Sequence, residues 1–183
     1  MFITPGPNNA MLTKSGLKFG FKRSLPHVIG IALGHAVQVS AVCLGLGFFL
    51  LEYPEFQLIL KWLCFGYLLF LAYKMIGSFK DYKKESGRPL RAYEAALFQW
   101  INPKAWTIAL TVASGFMPLQ ESLIVAVLFT GIMSSLISFP CISLWALFGS
   151  FIKKIVSNLI IKKIIEYCFA ILLLLTGVYL VLN

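Results

Sequence analysis

Long apolar blocks separated by short polar connections set the pattern of this chain. Five blocks approach the length of about 20 residues that a helix needs to cross hydrocarbon. They are about Leu25 to Leu51, Phe56 to Ile76, Ala95 to Phe116, Ser122 to Phe148 and Ile164 to Leu182. A sixth is half present. Pro5 to Gly16 makes a helix of about 18 Å, roughly half the hydrocarbon thickness, with Thr4 as its N-cap and Pro5 at the first helical position. The remainder of that span would lie before Met1, so about 15 to 20 mainly apolar residues are expected in frame upstream. The fold class expected is an all-α membrane protein of five full spans plus a half-span, the first span truncated at the N-terminus.

Two helix-breaking motifs fall at corresponding places in the chain, Thr4-Pro5-Gly6-Pro7-Asn8-Asn9 and Asn102-Pro103-Lys104. Proline lacks a backbone N–H and clashes with the carbonyl four residues back, so a spanning helix that contains it is interrupted. In hydrocarbon the freed polar groups must find partners, and broken helices at membrane depth line cavities. The spacing repeats after each break: the first runs to Ser15-Gly16, the second to Ser114-Gly115. The ends of the halves also match, Cys64-Phe65-Gly66-Tyr67-Leu68-Leu69 against Cys168-Phe169-Ala170-Ile171-Leu172-Leu173. Three spans per repeat is an odd number, so the second half must lie inverted relative to the first. The domain organisation expected is one transmembrane transporter domain over 1–183: a first three-helix repeat over 1–77, a basic cytoplasmic loop over 78–94 and a second three-helix repeat over 95–183.

Composition agrees with a lipid environment. Hydrophobic residues make up 59% of the chain and charged residues 13%, and the mean hydropathy is +0.84. The formal net charge of +9 would suggest nucleic acid in a soluble protein, but the basic residues alternate by loop. Lys14, Lys18, Lys22 and Arg23 precede the second span; Lys74, Lys80, Lys83, Lys84, Arg88 and Arg91 surround the loop after the third; Lys153, Lys154, Lys162 and Lys163 join the fifth and sixth. The intervening connections, Glu52 to Glu55 and Met117 to Glu121, carry no Lys or Arg. The positive-inside rule puts the three basic loops in the cytoplasm. The charge is therefore a topology signal, and no nucleic acid partner is implied.

The runs Thr4 to Asn9, Gly20-Phe21-Lys22-Arg23-Ser24-Leu25-Pro26-His27, Gly30-Ile31-Ala32-Leu33-Gly34 and Phe98-Gln99-Trp100-Ile101-Asn102-Pro103-Lys104-Ala105-Trp106 resemble, in order, the signatures of the LysE/RhtB amino-acid exporters of bacterial inner membranes. The resemblance covers the chain from Thr4 onward. It implies a six-span carrier that exports a small amino acid or derivative, of the threonine, homoserine, cysteine or lysine type, driven by the proton motive force. Its partners would be that substrate and membrane lipid, with a homo-oligomer left open; no cofactor is implied. The chain departs from the family pattern at His35, where an apolar residue is usual.

The candidate substrate-binding residues are Pro5, Gly6, Pro7 and Asn8 at the first break and Asn102, Pro103 and Lys104 at the second. A zwitterion needs an anion site and a cation site. Helix N-termini with Asn102 and Lys104 suit a carboxylate, and carbonyls left unpaired by the prolines suit an ammonium. Lys104 could instead snorkel to the surface. His35 and Gln38, three apart on one helix, are candidates for proton coupling or for the cavity wall. Thr107, Thr111 and Ser114 read better as helix-to-helix glue, and Gly30 with Gly34 as a close packing seam. Pro140 should kink the fifth span, and Ser134, Ser135 and Ser138 near that kink are candidates for the cavity wall. Glu166 reads as a boundary anchor. The four cysteines, Cys43, Cys64, Cys141 and Cys168, read as small buried apolar residues.

No HExxH or GxSxG motif is present, and neither histidine has an acid at catalytic spacing, which argues against an enzyme. The scarcity of carboxylates within the spans argues against a metal site. The competing readings are an N-terminally truncated, inactive exporter remnant and, behind it, an intramembrane enzyme or metal exporter.

Overall fold

The computed structural model describes residues 2–4, 6–76, 87–118, 120–155 and 159–182, and every regular element among them is helical. Eight α-helices follow in order: α1 Pro7–Phe19, α2 Phe21–Ala41, α3 Gly47–Glu52, α4 Pro54–Met75, α5 Ala92–Phe98, α6 Pro103–Phe116, α7 Leu123–Ile155 and α8 Leu159–Leu182, with a π-helical turn, Val42–Leu46, between α2 and α3. The centre of the basic loop and Pro5 lie outside the described residues.

The elements begin and end where backbone chemistry requires. Gly20, at φ 84°, lets one residue turn the chain from α1 into α2, a conformation that costs a side-chain-bearing residue more. Its N–H satisfies the carbonyl of Gly16. The apolar block from Leu25 to Leu51 is not one straight helix. Gly45, at φ 116°, sits inside the π turn and breaks it into α2 and α3. The block from Ala95 to Phe116 is likewise two short helices, because the chain leaves α5 at Phe98 and restarts α6 only at Pro103. By contrast α7 runs unbroken through Pro140 over 33 residues.

The first helix corrects one expectation. Its N-cap is Gly6 with Pro7 at the first helical position, so Thr4 is not the cap and Pro5 does not open the helix. The reason is visible in Asn9, whose side chain donates to the carbonyls of Phe2 and Thr4 and so folds those residues back over the helix start.

Helices approach closely at glycines. A Cβ on Gly16 would lie 2.0 Å from the Ala146 carbonyl oxygen, and one on Gly149 would lie 2.0 Å from that of Thr13, so α1 and α7 meet backbone to backbone. The expected seam at Gly30 and Gly34 is formed against α5: added Cβ atoms there would come within 2.2 Å of Ala92 O and 2.5 Å of Ala96 Cα. Small residues permit such contacts, which is how helices associate where apolar burial gives no drive. Around the seams, Leu12, Val28, Ile31, Ala95 and Ile142 form the central apolar cluster. Leu68, Ala72, Ala170 and Leu173 join α4 to α8 beside Ala10 of α1.

The distribution of polarity is that of a protein whose solvent is lipid. Phe48, Trp62, Ile124, Leu136 and Leu175 are all exposed, whereas His35, Gln38, Gln99, Asn102 and Ser138 are buried. Two helical stretches, Phe21–Phe49 and Leu123–Ile155, are long and apolar enough to cross a bilayer, and Leu58–Tyr73 is a shorter apolar stretch. Apolar side chains need not be interior in such a setting. Cys64 is buried and donates to the Ile101 carbonyl, but Cys43 and Cys141 are half-buried and Cys168 is exposed, correcting the expectation that all four are buried. Glu166 is only 2% exposed, so its side chain faces the interior of the helix packing.

Candidate functional site

Both helix breaks deliver their polar groups to the same place. At the second, the turn from Gln99 to Ile101 carries the chain out of α5, and the Asn102 N–H donates back to the carbonyls of Phe98 and Gln99. The Asn102 side chain then caps α6, accepting from the Lys104 N–H at 3.1 Å. Pro103 at the first helical position needs no such partner. At the first break Gly6 has no side chain to cap α1, so the donors at that helix start are not occupied by a cap.

Side chains tie the two breaks together. Lys104 Nζ donates to the Thr4 carbonyl at 2.7 Å and to Thr4 Oγ1 at 2.6 Å. It therefore reaches across to the first motif and does not snorkel away from it. Asn8 Nδ2 donates to Gln99 Oε1 at 2.8 Å, and Gln99 Nε2 donates to the Ala95 carbonyl at 2.8 Å. Gln38 Nε2 donates to the Gln99 backbone carbonyl at 3.1 Å, fixing the turn from the α2 side.

The space between these groups is a cavity of about 30 Å³ lined by Gly6, Asn8, Asn102 and Lys104 from the two breaks, with His35 from α2 and Ser138 from α7 on further walls. Around it and along α2 and α7, the buried atoms His35 Nε2, Gln38 Oε1 and Ser134 Oγ have no hydrogen-bond partner among the described residues. Pro7 and Pro103 line a second, wider cleft of about 440 Å³ with Thr107 and Thr176, and Lys104 borders both spaces.

The expected residues thus divide. Gly6, Asn8, Asn102, Lys104 and His35 share one cavity; Pro7 and Pro103 open the two helices beside it; Gln38 braces it without lining it. Pro5 lies outside the described residues. Thr107 and Thr111 are exposed and donate to carbonyls of their own helix, Pro103 O and Thr107 O. Ser138, one of the three serines expected near Pro140 as cavity lining, does line the cavity, while Gln99 and Asn9 complete the site and were given no role of their own from sequence. A buried amide within an apolar span is costly unless it is partnered, and that signal would have found Gln99.

At the start of α5, Arg88 forms a two-pronged ion pair with Glu94, both bonds 2.6 Å. Glu94 also accepts from the Arg91 N–H. The Arg88 guanidinium, then that N–H, hold the Glu94 carboxyl down to about 2 from the usual 4.5. The start of α5, the helix that leads into Gln99, is anchored by this pair.

The whole chain, residues 1–183, matches the family model of the LysE type translocator. The chain belongs to that family. It is thus a LysE family amino-acid efflux transporter and a membrane protein, as the resemblance read from its motifs implied. It is similar to the cysteine/O-acetylserine efflux protein of Salmonella paratyphi A (strain ATCC 9150 / SARB42), with 28% identity over 173 residues, 91% of this chain and 88% of that protein. The protein of the same name in Escherichia coli (strain K12) is 25% identical over the same shares of each chain. No solved structure matches this translocator.

Proposed function

We propose that this LysE-type translocator is a multi-pass carrier of the bacterial inner membrane, exporting small amino acids or close derivatives of the cysteine and O-acetylserine kind, with the proton motive force as its drive. The observation that carries this reading is the convergence of the two breaks on one cavity, bridged by Lys104 to Thr4 and by Asn8 to Gln99. The positive ends of α1 and α6 and the Lys104 ammonium offer a carboxylate three favourable partners. Carbonyls near the prolines serve the substrate's ammonium. A space of about 30 Å³ holds about one water molecule, so it is a closed state of the site, and the substrate enters as Lys104 leaves Thr4. The wider cleft on the far side of Lys104 is the approach.

The inverted repeat draws support from the packing. In the proposed pairing of halves, 1–77 with 95–183, α1 corresponds to α5 and α6, and α2 to α7. The contact of α1 with α7 through Gly16 and Gly149 then has its counterpart in the contact of α2 with α5 through Gly30 and Gly34. Alternating access is the rocking of one half against the other about these seams. The alternating basic loops orient the carrier with their charges in the cytoplasm. The drive is what the family resemblance implies.

The test is export from cells expressing the chain, scored for extracellular amino acids. Asn102→Leu and Pro103→Ala should abolish export while membrane insertion stays intact, since the break supplies polar groups to the cavity more than it supplies stability. Normal efflux by both variants at matched protein level would place the site elsewhere.

A further inference from the structure

We infer that His35 is the residue by which the cavity selects its substrate's side chain, its Nε2 hydrogen-bonding a short neutral polar group: accepting from a thiol or hydroxyl in one neutral tautomer, donating to an ester carbonyl in the other. The inference rests on the reading that the cavity holds an amino acid by its carboxylate at Lys104 and Asn102.

Four observations lead there. His35 is 2% exposed and lines the cavity beside the Phe2 ring and the Gln38 side chain, yet its Nε2 has no hydrogen-bond partner of good geometry among the described residues. A buried polar atom left in that condition destabilises the resting protein, and a ligand that supplies the missing bond recovers the loss. Ser138, on the α7 wall of the same cavity, spends its hydroxyl proton on the Ser135 carbonyl at 3.0 Å, which leaves its oxygen free to accept as well. The remaining surface on that side is apolar, from Ile31, Ile108 and Ile142. No acidic side chain is among the described residues that line the cavity, so a substrate ending in a second ammonium would be buried there without a counter-charge.

The two poles thus have different chemistry. Lys104, Asn102 and the helix starts recognise the charges common to every amino acid. His35 and Ser138 meet what distinguishes one from another. A pocket built to hydrogen-bond a substrate group rejects an analogue that lacks it, because the pocket's own polar atom is then left unpaired.

The full chain, purified and reconstituted in lipid vesicles, is assayed for binding and uptake of four probes: L-cysteine, O-acetyl-L-serine, L-2-aminobutyrate and L-lysine. The wild-type protein should favour the first two over aminobutyrate by about 5- to 100-fold and should not take lysine. His35→Leu should bring that preference to within about twofold and raise the protein's melting temperature, because it removes a buried unpaired group. His35→Gln, which keeps a hydrogen-bonding head, should retain part of the preference, and Ser138→Ala should weaken it by a smaller factor. An unchanged preference in His35→Leu would overturn the inference while leaving the carboxylate site standing. Loss of folding in His35→Leu would assign the histidine a structural role and overturn it too. Equal wild-type affinity for cysteine and aminobutyrate would do the same. Binding of none of the four probes by the wild-type protein would instead remove the substrate reading, and this inference with it.

Discussion

The break before α1 and the break before α6 both open a helix with proline at its first position, yet they treat the exposed backbone differently. Asn102 caps its own helix, occupying the Lys104 N–H. Gly6 offers no cap, and the Asn9 side chain turns away to hold Phe2 and Thr4. The α1 start is therefore the barer end, and the cation that faces it, Lys104, comes from the other break. The proposed carboxylate site is therefore composite: an uncapped helix end from one half and a charged side chain from the other. Gly6 is suited to that arrangement by its missing side chain, since a Cβ there would lie 2.8 Å from Lys104 Cδ.

The comparison breaks first at Lys104. Lys104→Met keeps the length and apolar stem of the side chain but removes the charge and its bonds to Thr4, and export should fall by about 10- to 150-fold, the worth of a hydrogen bond to a charged group. Rates measured at matched protein level check this; a loss under about twofold would mean that the two helix ends bind the carboxylate without the lysine. Gly6→Ala tests the same junction more gently. The lysine stem is flexible and must shift by a few tenths of an ångström or more, at a cost of about 1 kcal/mol, or roughly fivefold in export. An unaffected rate would show that the first break does not need its close approach to Lys104.

The smallest effect lies away from the cavity, at the anchor of α5. Glu94 has its folded-state pKa lowered to about 2 from 4.5, so its contribution is present above the unfolded value and is lost as pH falls through about 2. Glu94→Gln should lower the melting temperature slightly at neutral pH, and the gap to wild type should close as pH drops from about 5 toward 2. A gap that stayed constant across that range would assign the effect to packing and not to the ion pair.

The breaks were legible in the sequence because proline and asparagine within an apolar run have few other uses at membrane depth. The residues that join them were less so. Asn8 and Gln99 lie 91 positions apart, and their pairing depends on how α1, α2, α5 and α7 meet, which hydropathy does not encode. The GxxxG pattern at Gly30 and Gly34 announced a close seam, but the equally close one at Gly16 and Gly149 is split between two distant helices and has no local signature. The start of α1 was misplaced because Thr4 and Pro5 look like a cap and first turn, and only the folding back of Phe2 to Thr4 onto Asn9 shifts the helix to Pro7. Cys168 was misread because which face of α8 is interior is decided by α4 and α1, not by the near-uniform apolar sequence of that helix.

The claim that the two breaks build one substrate site is tested most directly by a structure of the full chain in lipid with O-acetyl-L-serine bound. The account requires the ligand's carboxylate within hydrogen-bonding distance of Lys104 Nζ and the start of α1, with Lys104 released from Thr4 and the cavity widened around Asn8 and Asn102. A ligand seated elsewhere, with the Lys104 to Thr4 and Asn8 to Gln99 bonds intact, would contradict it.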